Sequence, residues 1–404
     1  MTTTINNEHK KLNVPNLRFP EFQGEWKKTT IGDIADLYKG TGISKDQLSD
    51  DGEPCILYGE LYTKYKSETI REVISKTNID NTKLVKSKAN DVIIPCSGET
   101  AEDIATARCV LNGNILLGGD LNIIRLHGYD GAFMSYQLNG RRKYDIAKVA
   151  QGVSVVHLYG EHLKGVKTIN PCLEEQKKIA KLLSLLDERI ATQNKIIDKL
   201  QSLIKGINQR VFMNSGINYK LGEICEIRSG YSGNQLLSKK GLKVSRIETI
   251  SGHKVNMERV GYVAPFESSG NYRLRVGDIL FSNINSVEYI GNTAFIDKDY
   301  DLYHGMNLLR LTPNNMVVIP FYLYLLLNTN RMLNHFKTVC NKAVSQASIN
   351  QTELGKTVIQ IPPIKTQEQI CELYQALYTK LETACHTKSL FQNQKQYMLR
   401  QMFI

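Results

Sequence analysis

Asn170-Pro171-Cys172-Leu173 is the first stretch that could do chemistry. It approximates the Asn-Pro-Pro-aromatic run with which amino-methyltransferases hold a target base. The second proline is absent, as is the aromatic ring that would stack the base. The run also falls where a helix is about to begin, so it reads as helix punctuation. Gly355-Lys356-Thr357 has the ending of a phosphate loop, but the leading glycine of that pattern would fall at Asn350, so the backbone cradle is missing. No G-x-G-x-x-G run appears. The eight histidines show no metal-ligand spacing; His157 and His162 read as a coincidence near a loop. Glu174 and Glu175 fall on a helix first turn, where the dipole favours them without any catalytic role. The eight cysteines form no C-x-x-C pair and read as reduced thiols in a cytoplasmic protein. A chain without a catalytic constellation leans towards binding or organising.

A length of 404 residues predicts two or three domains. No stretch approaches the roughly 20 apolar residues of a membrane span, and the polar start, Met1 to Asn13, is not a secretory signal. The net charge of +11 favours nucleic acid or an anionic surface. Residues 1–170 are nearly neutral, however, with 22 basic and 21 acidic groups. Any DNA contact there needs a local patch. Arg141-Arg142-Lys143 with Lys148 is the clearest, although such a run is also an ordinary solvated helix face.

The chain repeats itself. Ile31-Gly32-Asp33-Ile34 is echoed by Leu221-Gly222-Glu223-Ile224. Asn90-Asp91-Val92-Ile93-Ile94 matches Gly277-Asp278-Ile279-Leu280-Phe281, and Asn122-Ile123-Ile124-Arg125-Leu126 matches Asn307-Leu308-Leu309-Arg310-Leu311. From Val153 onward the offset is constant at 191, pairing Pro171, Gln176 and Phe212 with Pro362, Gln367 and Phe403. Each unit opens with a part rich in short strand-like runs separated by turn signals, with helical patterns near 132–149 and 320–337. These parts are predicted to be mixed α/β.

A long helix then closes each unit. Ile179, Leu183, Leu186, Ile190, Ile197, Leu200, Ile204, Ile207 and Val211 form a coiled-coil seam broken only by Gln193. The second seam runs through Ile370, Tyr374, Leu377, Leu381, Ala384, Lys388, Phe391, Lys395, Met398 and Met402. The simpler reading of Gln193, Lys388 and Lys395 is a tolerated polar defect; the alternative is a device that sets register. A lone helix would expose its seam, so the two helices are expected to pair with each other as an antiparallel coiled coil related by a pseudo-twofold.

The order of these parts resembles the specificity subunit of a type I restriction–modification system. The residues that carry the resemblance are Pro171-Cys172-Leu173-Glu174-Glu175-Gln176, Pro362-Pro363 with Gln367-Glu368-Gln369, and the entry segment Pro15 to Phe22 followed by Glu25-Trp26. The tails Arg210-Val211-Phe212-Met213 and Arg400 to Ile404 add to it. The resemblance spans residues 14 to 404; the second copy's Pro-Leu-Glu-Glu-Gln motif is degraded. It implies target recognition domains at 1–170 and 214–361, a central spacer helix at 171–213 and a C-terminal one at 362–404. It further implies a non-catalytic, cytoplasmic chain that reads a bipartite, asymmetric site in double-stranded DNA, the helices setting the unread spacer. Two modification subunits would bring S-adenosylmethionine and adenine methylation. Two restriction subunits would bring ATP- and magnesium-dependent translocation and cleavage. No cofactor or metal is expected in this chain. Two other readings are a self-contained nuclease or methyltransferase, and a coiled-coil protein adaptor without sequence-specific DNA binding.

A polar loop precedes each final strand and helix, Gly152 to His157 and Ala343 to Asn350. Two different DNA readers share the phosphate backbone, so Ser154 and Ser345 are candidate phosphate donors, with Arg141, Arg142 and Lys342 supplying charge. The alternative is that the two serines satisfy a turn. Gln346, Ser348 and Asn350 differ between the copies and are candidate readers of base edges.

Overall fold

The computed structural model describes residues 13–80, 82–152, 155–212, 216–343 and 346–404. The chain divides into two compact units, one made of residues 1–195 and 385–404, the other of 196–384. This division cuts across the four consecutive segments expected from the sequence. Each unit holds one globular part together with portions of both long helices.

In the first unit, β1 (Lys27–Thr30) leads into β2 (Ala35–Lys39). A central sheet adds β3 (Thr69–Ile70), β4 (Asp91–Pro95), β6 (Arg108–Val110) and β7 (Leu121–Leu126), while a short β5 (Ser97–Gly98) follows β4. Its order is β2-β7-β4-β6-β3, antiparallel except for the β3–β6 pair. Strand β4 is buried along its whole length, because both faces of the sheet are covered. Val92, Ile94 and Ile124 pack with Met134 and Leu138 of α1 (Gly131–Asn139) on one side. Ile93 and Ile123 pack with Ile56 and Leu61 on the other. A continuous apolar run such as Val92-Ile93-Ile94 is what a doubly covered strand requires.

The second unit repeats the plan with β11 (Cys225–Ser229), β12 (Ile279–Ser282), β14 (Thr293–Phe295) and β15 (Leu308–Pro313), in the order β11-β15-β12-β14. Leu309, Leu311 and Phe281 face a core that includes Leu323 of α3 (Pro320–Leu327). Leu280 and Leu308 face a second core with Ile250 and Leu302.

Both globular parts are entered and left through a two-stranded antiparallel ribbon. It is β1 with β9 (Lys167–Asn170) in one, and β10 (Ile217–Lys220) with β18 (Val358–Ile361) in the other. The long helices start just after each ribbon, α2 at Leu173–Val211 and α5 at Ile364–Gln401. A 39-residue helix is about 60 Å long.

The two helices pair antiparallel. In the first unit Ile179, Ala180, Leu183 and Leu186 of α2 pack with Phe391, Met398, Met402 and Phe403 from the end of the chain. In the second, Ile204, Ile207 and Val211 pack with Ile370 and Tyr374 near the start of α5. Leu377 is buried too, while Ile190, Ile197, Leu200 and Leu381 are half-buried. Lys395 corrects the simpler reading of the polar seam positions. Its Nζ lies 2.6 Å from both Glu68 Oε2 and Asp187 Oδ1, all three side chains nearly buried. It therefore has fixed partners and is no idle defect.

Candidate nucleic-acid interface

A β-hairpin rises from each globular part at the predicted loop. In the first unit Gln151 and His157 exchange backbone hydrogen bonds, and β8 (Val156–His157) pairs with β5. In the second, β16 (Asn341–Lys342) pairs with β17 (Ala347–Ser348), which pairs in turn with β13 (Ile284–Asn285). Both hairpins thus dock on the short strand that follows the central strand. Lys342 and Gln346 are exposed on the second hairpin and Ser348 is half-buried. Asn350 is exposed, but its side-chain oxygen accepts the Glu353 N–H at 2.8 Å and caps the short helix α4 (Gln351–Gly355). Ser154 and Ser345 lie outside the described residues. Sequence reasoning did not single out Tyr159, which is exposed beside the first hairpin and stacks with His157 at 6.2 Å.

Arg141 and Arg142 are not part of a free basic patch. Arg141 donates to the carbonyl oxygens of Arg400 at 2.7 Å and Phe403 at 3.3 Å. Arg142 donates to the Ile404 oxygen at 3.2 Å and also meets Asp145. Both guanidinium groups hold the end of the chain, where unsatisfied carbonyls and the helix dipole attract cations. Glu175 has a comparable structural task. It receives a bidentate pair from Arg18, at 2.8 and 2.7 Å, with its carboxylate fully buried.

Among the described residues, no group of three or more His, Cys, Asp or Glu is placed to hold a metal ion. No described helix is long and apolar enough to cross a membrane. What the chain presents instead is a duplicated sheet, hairpin and helix. A family model for the type I restriction modification DNA specificity domain matches residues 23–202 and again 217–388. The chain belongs to that family.

Among curated specificity subunits, the chain is 39% identical over 188 residues to the putative MjaX subunit of Methanocaldococcus jannaschii, covering 46% of this chain and 44% of that protein. It is 24% identical to the MjaVIII subunit of the same organism, over 95% of this chain and 92% of the other. It is 22% identical to the EcoKI subunit of Escherichia coli, over 89% and 83%. The fold matches that of the S subunit of M. genitalium with a TM-score of 0.65 at 17% identity, covering 97% and 99% of the two chains.

Strand register matches the two specificity domains differently from the sequence repeat. Ala35 and Cys225 open equivalent strands, and their partners are Leu126 and Pro313. Left-handed turns also coincide, Asn90 with Gly277 and Asp120 with Asn307. The match of Asn122–Leu126 to Asn307–Leu311 is therefore off by two residues. Arg125, which grips Asp91 at 2.7 Å, corresponds to Thr312, which donates to Asp278 at 2.6 Å. Arg310 instead takes the place of Ile123, and Arg228 that of Tyr38. The error in register hid this exchange from the sequence reading.

Proposed function

We propose that this chain is the DNA sequence-specificity subunit of a type I restriction–modification complex and that it reads a bipartite, asymmetric site in double-stranded DNA. The observation that supports this most directly is the duplication. Each unit has its own exposed hairpin on its own sheet, and the two parts share one continuous pair of helices. Two separate readers joined by long helices suit a site made of two half-sites. Linking them also raises affinity through effective concentration.

In this reading the chain acts in the cytoplasm, has no catalytic role and holds no cofactor. Two modification subunits supply S-adenosylmethionine-dependent adenine methylation. Two restriction subunits supply ATP- and magnesium-dependent translocation and cleavage. Specificity at each half-site comes from side chains on the hairpins and neighbouring loops, Gln346 and Ser348 among them, while Lys342 supplies charge for the phosphate backbone. A protein-only adaptor is the less favoured reading, since it leaves two large duplicated α/β domains without a task.

A cassette exchange tests the proposal. Residues 214–361 carry the complete β10–β18 ribbon, so they can be replaced by the matching part of a relative without dividing a strand pair. Mapping methylated adenines in the host should show one half of the recognised sequence changed and the other retained. A change in both halves, or in neither, would overturn it.

A further inference from the structure

Strands β11 and β15 place Arg228 and Arg310 directly opposite each other. Cross-strand partners share a face of the sheet, and like charges in that position repel. The first domain has no such conflict, because Tyr38 faces Ile123 in the same register and Ile123 is fully buried in an apolar cluster. Arg310 is also buried, at 8% exposure. Its Nη1 donates to the backbone oxygens of Asn271 and Arg273 at 3.2 and 3.3 Å, while its buried Nε has no hydrogen-bond partner in the structure. A buried charge without a counter-ion is costly.

The two arginines line a cleft of 290 Å³ together with Arg273 and Arg275. Two carboxylates also line it, and both are engaged. Glu226 pairs with Arg228, while Asp278 accepts from Thr312 Oγ1 and from the Arg275 N–H. Neither is bonded to Arg310.

We propose that this cleft in the second domain is an oxyanion site that seats a phosphate group. A phosphate in the cleft would supply the counter-charge that the buried Arg310 lacks. Its charge would relieve the repulsion between Arg228 and Arg310, and guanidinium groups match phosphate geometry through paired N–H donors. The first domain has no counterpart, since Tyr38 and Ile123 leave nothing for an anion to neutralise. The phosphate can come from the DNA backbone or from a free phosphate-bearing molecule. Only the DNA source rests on the reading of this chain as a DNA specificity subunit.

The variants R310I and R228Y/R310I restore the residues of the sister domain, and R275A tests an exposed member of the cleft. Melting of the full chain is measured in orthophosphate and in chloride at equal ionic strength. Phosphate also stabilises proteins generally by exclusion, and that effect is common to all the variants. The wild type should show an additional rise in melting temperature that R310I and R228Y/R310I lose and R275A reduces. Equal rises in wild type and R310I would overturn the site. DNA binding is then titrated with salt. A fall in slope of about 0.9 in R310I assigns the phosphate to the DNA backbone. An unchanged slope with the orthophosphate response lost assigns it to a free molecule. Failure of the wild type to bind DNA, with that response intact, would overturn the DNA reading and leave the site standing.

Discussion

Gln176 and Gln367 occupy the same place in the two units and share two equivalent bonds, to which Gln367 adds a third. The Gln176 oxygen accepts the N–H of Asp130, the residue before α1, at 2.9 Å, and its amide donates to the Pro171 carbonyl at 2.8 Å. The Gln367 oxygen accepts the N–H of Ile319, the residue before α3, at 2.8 Å, and its amide donates to the carbonyls of Pro362 and Val317. Both glutamines are buried. Each therefore ties the start of a long helix to the start of a helix in the globular part.

Replacing either glutamine with leucine keeps the volume but orphans a backbone N–H together with one carbonyl at Gln176 or two at Gln367. The expected loss is about 1–3 kcal/mol per glutamine. Urea unfolding of the single and double variants measures it. The two losses should add, because the sites lie in different units.

Lys395 sits between Glu68 and Asp187, and Tyr136 also donates to Asp187 at 2.6 Å. Lys395→Met leaves two carboxylates nearly buried and unpaired, at a cost of about 3–5 kcal/mol. Adding E68Q and D187N should recover much of that loss, since no charge then remains buried. Thermal melting distinguishes the two variants; equal melting points would remove the charge explanation.

His304 is buried, and burial holds its imidazole well below the usual range, at about 4, with nearby Arg310 adding to the effect. Its ring nitrogen Nε2 donates to the Leu308 carbonyl at 2.9 Å. The unfolded chain takes up this proton near pH 6.5, the folded chain only near 4. Between these values the unfolded state binds more protons, so stability falls as pH falls. The contribution is full above pH 6.5 and gone below 4, about 3 kcal/mol in all. Stability measured across that range should be flatter in His304→Asn by this amount.

Lys342 and Gln346 stand exposed on one hairpin and should separate phosphate contact from base reading. Lys342→Ala is expected to weaken binding to all duplexes alike and to reduce the salt slope by about 0.9. Gln346→Ala should relax discrimination at one base pair by about 1–3 kcal/mol. Salt titrations on matched and mismatched sites read both. Asn350→Ala should in addition cost the chain about 1 kcal/mol, because it removes a helix cap.

The duplication, the two long helices and their seams are legible in the residues themselves. Local period and repetition encode them: an apolar stripe at alternating spacings of three and four makes a helix seam whatever surrounds it. The recurrence of Gln176 as Gln367 marks a shared position in the same way, without saying what the side chain holds. Partners distant in the chain are another matter. Arg141 looks like a basic patch beside Arg142 and Lys143, and only the folded chain brings the carbonyls of Arg400 and Phe403 to its guanidinium. Lys395 looks like a flaw in a seam until Glu68 and Asp187, far away in sequence, are packed against it. The pairing of Arg228 with Arg310 depends on strand register, and a shift of two residues leaves the alternation of faces unchanged, so residue pattern alone does not detect it. Charge pairing and register are set by tertiary packing, and they determine which of these polar side chains serve the fold and which are left for a ligand.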